Sequence, residues 1–90
     1  MNDLIVFDKP EEVKLLRLYL TRSGQGGYLI RVTQIPIEGE VKQLEKFYRG
    51  KTLGQMRPIV ERLLLKLRSR GLEGRQFSME SSLIRSNHWG

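Results

Sequence analysis

Hydrophobic positions recur along this chain with two periods, one typical of strands and one typical of helices. Between residues 28 and 35, apolar and polar side chains alternate, and Pro36 follows. This alternation predicts a strand over 28–35 that ends at the proline. The short apolar run at 3–7 is rich in β-forming residues, and it predicts a second strand that pairs with the first.

Three other segments carry apolar residues at intervals of three and four, which is the spacing of an amphipathic helix. The first helix is expected over residues 9–22, with Asp8 as its cap. The second is expected over residues 38–48, with its start at residue 38 or 39 and Gly50 just past its end. Both segments would then pack one apolar face against the predicted sheet.

The third helix has the longest apolar stripe and is expected to run from Thr52 to Arg70, with Gly71 as its stop. Thr52 and Gln55 have the spacing of a capping box, in which each side chain accepts from the backbone amide of the other residue. Pro58 lies within this span. The pattern leaves open whether the proline kinks the helix or stands in its first turn.

A chain of 90 residues has room for one core. The sequence therefore predicts a small single α+β domain with about three helices and a small antiparallel sheet, in the order β-α-β-α-α. Two short strand candidates follow, at 76–80 and 82–86, and they would form a C-terminal hairpin or a tail. The compact domain is expected over residues 1–75, with the hairpin or flexible tail over 76–90.

The passage from Val60 to Arg75, VERLLLKLRSRGLEGR, combines leucines at helical spacing with Arg-Gly-Leu and a basic segment. It resembles the corresponding passage of small bacterial winged-helix regulators, and the predicted order of elements is similar to theirs. The resemblance covers less than half of the chain. It implies that the third helix enters the major groove of DNA while the hairpin contacts the phosphate backbone.

Charge is distributed unevenly along the chain. Residues 1–45 carry six cations and seven carboxylates, a net charge of −1, whereas residues 46–90 carry ten cations and three carboxylates, a net charge of +7. Seven of those ten cations are arginines, which are suited to bidentate contact with phosphate or carboxylate. This asymmetry predicts a polyanionic partner: first nucleic acid, with double-stranded DNA favoured, then an acidic protein surface, then an anionic membrane.

Eight cations of the C-terminal half are the predicted contacts, mostly to phosphate. They are Arg49, Lys51, Arg57, Arg62, Lys66, Arg68, Arg70 and Arg75. The predicted function is a non-enzymatic DNA-binding regulator or accessory factor. The alternative is a small adaptor or inhibitor that uses the same basic helix to bind an acidic surface of a protein partner. For any single cation, a solvated helix face without a partner fits the spacing equally well.

The residue types argue against catalytic and metal chemistry. Cysteine is absent and His88 is the only histidine, so no thiolate or multi-histidine metal site is expected. No residues fill the roles of nucleophile, base and orienting group, so neither catalytic residues nor a cofactor are expected. The segment RGKTLGQ ends like a P-loop, but Glu45 stands where the first glycine is needed, and a predicted helix precedes it instead of a strand.

The lengths of the apolar runs and the charges of the first residues bear on whether a membrane-spanning helix or a signal peptide is expected. The longest of them are far shorter than the roughly 18 to 20 residues that a membrane-spanning helix needs. The first residues include acidic side chains and lack the basic start of a signal peptide. The sequence therefore predicts a cytoplasmic protein without a membrane span, and self-association is left open.

Overall fold

The computed structural model describes residues 4–7, 9–72 and 77–79, which form a four-stranded sheet packed against one helix. The elements are a 3-10 turn at Pro10–Glu12, β1 (Val13–Ser23), β2 (Gly27–Pro36), β3 (Lys42–Arg49), α1 (Leu53–Ser69) and β4 (Phe77–Met79). The strand order is β3-β2-β1-β4. The pairs β1–β2 and β2–β3 are antiparallel, whereas β4 runs parallel to β1.

A tight glycine-rich turn joins β1 to β2 and sets their register. Ser23 pairs directly with Gly27, and Gly26 between them has a φ of 85°, a left-handed conformation that glycine adopts without steric cost. A side chain at Gly27 would collide with the backbone of Tyr48 in β3. Glycine at this position therefore allows the close approach of the third strand as well as the turn.

The two central strands direct alternate side chains toward α1 and form the core. Leu16, Leu18 and Leu20 of β1 stand opposite Gln34, Val32 and Ile30 of β2, and all six are at most 1% exposed. From the helix, Met56, Val60 and Leu67 complete the same buried cluster. Because each buried aliphatic side chain contributes about 1.5–3 kcal/mol, this layer is the main source of stability.

The side chain of Gln34, near the end of β2, holds residues 4–7 against the sheet by hydrogen bonds. Gln34 is completely buried; its Nε2 donates to the Leu4 carbonyl at 3.1 Å and its Oε1 accepts from the Val6 amide at 2.8 Å. A buried amide group needs such partners, because leaving it unsatisfied costs about 1–3 kcal/mol. The N-terminal segment therefore supplies the hydrogen bonds that make Gln34 tolerable in the core.

The predicted fold class is wrong in the number of helices and in the form of the sheet. In place of about three helices and a small antiparallel sheet, the described residues form one α-helix and a mixed sheet of four strands. β1 and β3 occupy the positions of the first two predicted helices. The winged-helix order is therefore absent, because that order depends on both of those helices.

The segment predicted as a helix over 9–22 is the 3-10 turn followed by β1. Val13, Leu16 and Leu20 fit a helical stripe, but Leu16, Leu18 and Leu20 also fit the alternation of a strand. The ladder with β2 across the short turn decides between the two, because it satisfies the backbone groups of β1 along its length.

The segment predicted as a helix over 38–48 forms β3 instead. In this strand Leu44, Lys46 and Tyr48 are half-buried on the face toward α1, whereas the residues between them are exposed. Gly50, expected as a helix C-cap, has a φ of 70° in the turn that leads from β3 to α1. The strand pairs with β2 over its whole length.

Two further expectations about strands differ in outcome. The strand over 28–35 is confirmed, since β2 spans Gly27–Pro36. The strand over 3–7 is wrong, because residues 4–7 make no ladder and are held by Gln34 instead. Of the two C-terminal candidates, Phe77–Met79 forms β4 and pairs with β1. The candidate at 82–86 lies outside the described residues.

The prediction of the third helix is confirmed. α1 spans Leu53–Ser69, and Gly71 follows with a φ of 71°, which is the conformation of a glycine stop. Pro58 lies inside the helix. Its ring nitrogen cannot donate to the carbonyl of Gly54, so one hydrogen bond near the start of α1 is missing.

Candidate functional site

The chain passes from β3 into α1 through a short turn that ends in a capping box. Thr52 Oγ1 accepts from the Gln55 amide at 3.2 Å, and Gln55 Oε1 accepts from the Thr52 amide at 2.9 Å, so the predicted cap is confirmed. Two amides at the start of the helix are thereby satisfied by the chain itself. The helix start alone is consequently a weaker anion site than one with open amides.

The same turn also bears on the P-loop pattern. A strand does precede Gly50, contrary to the helix expected there. Glu45, however, stands within β3 opposite Arg31, so the stretch before Gly50 is a paired strand and not a glycine-rich loop. Without such a loop no row of backbone amides curls around a phosphate, and the P-loop reading stays excluded.

A groove lies between α1 and β3, with a volume of about 200 Å³. Its lining residues are Leu4, Ile30, Tyr48, Ile59, Arg62, Leu63 and Lys66. Lys46 stands beside it, with its Nζ 5.3 Å from the centre of the Tyr48 ring. We call this surface, with Lys46 included, the basic groove.

Two elements build the basic groove from opposite sides. On α1, Ile59, Arg62 and Lys66 recur at intervals of three and four and therefore share one flank of the helix. On β3, Lys46 and Tyr48 are two residues apart and point to the same face of the sheet. The antiparallel pairing of β3 with β2 holds that face toward α1.

The electrostatics of the basic groove are one-sided. Among the residues that the structure describes there, three are cations, Lys46, Arg62 and Lys66, and none is a carboxylate. Lys46 is half-buried and lies over the ring of Tyr48, an arrangement that attracts the ammonium to the aromatic face. Cations from two rigid elements thus converge on an apolar floor, an arrangement that favours a bound anion.

Two other predicted contacts, Arg57 and Arg68, lie on the opposite side of α1. We call this surface the outer flank, and its residues are Arg57, Glu61, Leu64, Leu65 and Arg68. There Arg57 Nε lies 2.9 Å from Glu61 Oε1 in an exposed ion pair. Arg68 borders a separate depression of about 210 Å³ that it shares with Glu61, Leu64 and Leu65. The structure therefore separates the predicted basic face of the helix into two surfaces.

The remaining predicted contacts are scattered. Arg49 is exposed at the end of β3, opposite Gly27, and Lys51 is exposed in the following turn. Arg70 is partly buried, and its Nη1 donates to the carbonyls of Ile5 at 3.1 Å and Phe7 at 2.9 Å. Its guanidinium therefore holds the N-terminal segment in place. Arg75 lies outside the described residues.

Sequence reasoning missed Lys46 as a candidate contact and did not assign Tyr48 to a binding surface. The cause was the helix predicted over 38–48, which scattered these side chains around a helix. A usable signal was present: Leu44 and Tyr48 are separated by an even number of positions, and a period of two places them with Lys46 on one face of a strand.

The sheet face away from α1 carries a second, more mixed set of side chains. The Arg31 guanidinium lies over Tyr19 at 5.7 Å from the ring centre, and Arg31 stands opposite Glu45 in β3. Phe47 on the same face is 39% exposed. Because an acidic residue stands among its cations, this face is less suited to a polyanion than the basic groove.

Among residues 4–7, 9–72 and 77–79, no cluster of three or more histidine, aspartate or glutamate side chains could hold a metal ion. Within the same residues, no helix has both the length and the apolar character required to cross a membrane.

Comparisons of the chain with protein-family models, with curated proteins and with solved structures find no match. The residues of the chain itself are therefore the basis for a function. Among those that the structure describes, the basic groove is the cluster whose charges are most strongly of one sign.

Proposed function

We propose that this chain is a non-enzymatic nucleic-acid-binding protein, a small regulator or accessory factor that holds a phosphodiester backbone in the basic groove. One observation carries the proposal: Lys46, Arg62 and Lys66 converge from two elements on a groove whose described lining residues include no carboxylate. Phosphate contacts of this kind supply most of the sequence-independent affinity for nucleic acid.

The dimensions of the groove suit a chain of phosphates better than a single small anion. Arg62 and Lys66 are four residues apart on α1, which corresponds to about 6 Å along the helix axis. This separation is comparable to that of neighbouring phosphates on one strand. The apolar floor formed by Tyr48 and Ile59 offers contacts to sugars or bases between those phosphates.

A salt series tests the proposal. Labelled random-sequence duplex DNA, single-stranded DNA and RNA are titrated with the chain, and the Kd is measured by fluorescence anisotropy at several salt concentrations. For duplex DNA we expect log K to fall linearly with log salt, with a slope of about −3 if three cations each release a counterion. For a single strand the same three contacts give a slope of about −2. We expect the duplex to bind more tightly.

A polyglutamate of matched charge serves as the control polyanion. If it binds as tightly as the nucleic acids, the groove recognises negative charge alone, and the alternative of an acidic protein partner replaces the proposal. Absence of binding to all three nucleic acids at about 50 mM salt, where phosphate contacts are strong, overturns it outright.

A further inference from the structure

β3 forms one edge of the sheet, and β2 is its only strand partner in the part of the chain that the structure describes. The Gly50 amide donates to the Gly26 carbonyl at 2.9 Å, in continuation of the β2–β3 register. Hydrogen-bonded residues alternate in an antiparallel pair, so the even-numbered residues of β3 bond to β2. The odd-numbered residues therefore direct their amide and carbonyl groups outward.

These outward groups belong to Gln43, Glu45, Phe47 and Arg49, all of which are exposed. A row of open backbone donors and acceptors on an edge strand is a template for pairing with another strand. We propose that this edge pairs with the same edge of a second copy of the chain, in an antiparallel two-fold dimer with Phe47 on the axis. Such an interface uses the same residues on both copies.

Charge complementarity selects this register over the alternatives. Two other registers of a two-fold antiparallel pair give the longest overlap between the strands. One places Glu45 opposite Glu45 of the second copy, and the other places Lys46 opposite Lys46 of the second copy. Like charges directly opposite each other are destabilising. With Phe47 on the axis, Glu45 instead stands opposite Arg49 of the second copy, and symmetry repeats this opposite-charge pair on the other side.

The same register also suits the face toward α1. It places Lys46 opposite Tyr48 of the second copy, in addition to the Tyr48 ring of its own chain 5.3 Å away. On the other face the two Phe47 side chains meet and shield each other, although each is 39% exposed in the single chain. Aromatic and opposite-charge cross-strand pairs are the kinds that stabilise an antiparallel pairing.

Cysteine cross-linking tests the dimer and its register in the full chain, which contains no cysteine of its own. Phe47→Cys places two thiols opposite each other, with Cα atoms about 5.5 Å apart, which is within disulfide geometry. Leu65→Cys is the control, since Leu65 is exposed on the outer flank. Under mild oxidation we expect the Phe47→Cys chain to form a disulfide-linked dimer at least about tenfold faster than the control.

The register is tested by mixing two variants. Glu45→Cys and Arg49→Cys should link to each other, whereas neither should link to itself, because four residues of offset separate the equivalent positions by about 14 Å. Equal linking of Phe47→Cys and Leu65→Cys, or linking of Glu45→Cys to itself, overturns the proposal.

Charge reversal supplies a second readout. Arg49→Glu places two carboxylates opposite each other, and we expect the dimer Kd, measured by sedimentation equilibrium, to rise at least about tenfold. The double variant Glu45→Arg with Arg49→Glu restores the opposite pairing and should recover the dimer, with circular dichroism confirming that each variant is folded. A chain that stays monomeric at all accessible concentrations overturns the proposal and leaves nucleic-acid binding by the groove unaffected.

Discussion

The two flanks of α1 carry similar side chains and yet form different surfaces. The groove flank has Arg62 and Lys66, and the outer flank has Arg57 and Arg68. On the groove side, β3 adds Lys46, and the described part of the chain contributes no carboxylate to the lining. On the outer flank, Glu61 pairs with Arg57 at 2.9 Å. The number of cations on a helix is therefore a poor guide to its binding surface.

The difference comes from what the fold places beside each flank. An exposed ion pair such as Arg57–Glu61 contributes only about 0–1 kcal/mol, but it removes one net charge from the outer flank. The basic groove gains a third cation, Lys46, and a second rigid wall from β3. A site of this kind requires side chains from two elements. The charge distribution along one helix does not indicate which other element lies beside it.

The largest expected effect separates the two flanks directly. Arg62→Gln with Lys66→Gln should weaken binding to duplex DNA about 100-fold, because each charge-assisted contact is worth about tenfold in affinity. The matched control, Arg57→Gln with Arg68→Gln, removes the same charge from the same helix and should change the Kd less than about threefold. Anisotropy titrations at one salt concentration measure both. Equal losses in the two double variants would refute the assignment to the groove.

Arg70 follows α1 and belongs to neither flank. Arg70→Gln loses the hydrogen bonds to the Ile5 and Phe7 carbonyls, so we expect the free energy of unfolding to fall by about 2 kcal/mol. Urea unfolding followed by circular dichroism measures this loss. At temperatures where the variant is folded, its affinity for DNA should stay within about threefold of the original. A loss of affinity without a loss of stability would make Arg70 a contact residue.

Tyr48 tests what the apolar floor of the groove adds to its charge. Tyr48→Leu removes the ring beside Lys46 and should weaken binding of single-stranded DNA about fivefold, since a stacked base or a cation over a ring contributes about 1 kcal/mol. Tyr19→Leu is the control, because that ring also lies beside a cation, Arg31, but on the opposite sheet face. If the Tyr19 variant loses more affinity than the Tyr48 variant, the nucleic acid contacts the other face.

The smallest effect is expected for a substitution that makes the charge of the outer flank more similar to that of the basic groove. Glu61→Gln removes the carboxylate that pairs with Arg57 and should raise affinity for duplex DNA by less than about threefold. The free energy of unfolding should change by less than about 0.5 kcal/mol. Salt-dependent anisotropy and urea unfolding check the two values. A tenfold gain would show that the outer flank lies close to the bound phosphates.

The helix α1 was predictable because its signals are local and numerous. Its stripe continues over many residues, the capping box of Thr52 and Gln55 marks its start, and Gly71 marks its end. Over such a length, chance agreement with another period is rare. β2 was predictable for a similar reason, since Tyr28, Ile30 and Val32 recur with the period of a strand and Pro36 marks its end.

β1 and β3 were mistaken for helices because their apolar residues fit both periods. In β3, Leu44 and Tyr48 are four positions apart, which suits one face of a helix and also one face of a strand. The deciding contacts are cross-strand ladders with β2, and these depend on partners distant in sequence. The glycine-rich turn after Ser23 was nevertheless a local indication that a hairpin begins there.

The basic groove was predicted only in part. Arg62 and Lys66 were among the candidate contacts, because a charge pattern along a helix is visible in the sequence. Lys46 was missed, since its place beside Tyr48 depends on β3 being a strand. Arg70 was counted as a contact, because no local pattern reveals that its guanidinium reaches carbonyls more than sixty positions away.

The hydrogen bonds that hold residues 4–7 also set an order of events in folding. Gln34 lies about thirty positions away and Arg70 more than sixty, so both partners are synthesised long after the segment they bind. Closing such long loops is entropically costly until the sheet and α1 have already brought the ends together. The segment is translated before its partners and yet docks after them, and the Val6 amide should exchange with solvent hydrogen before the amides of β1 do.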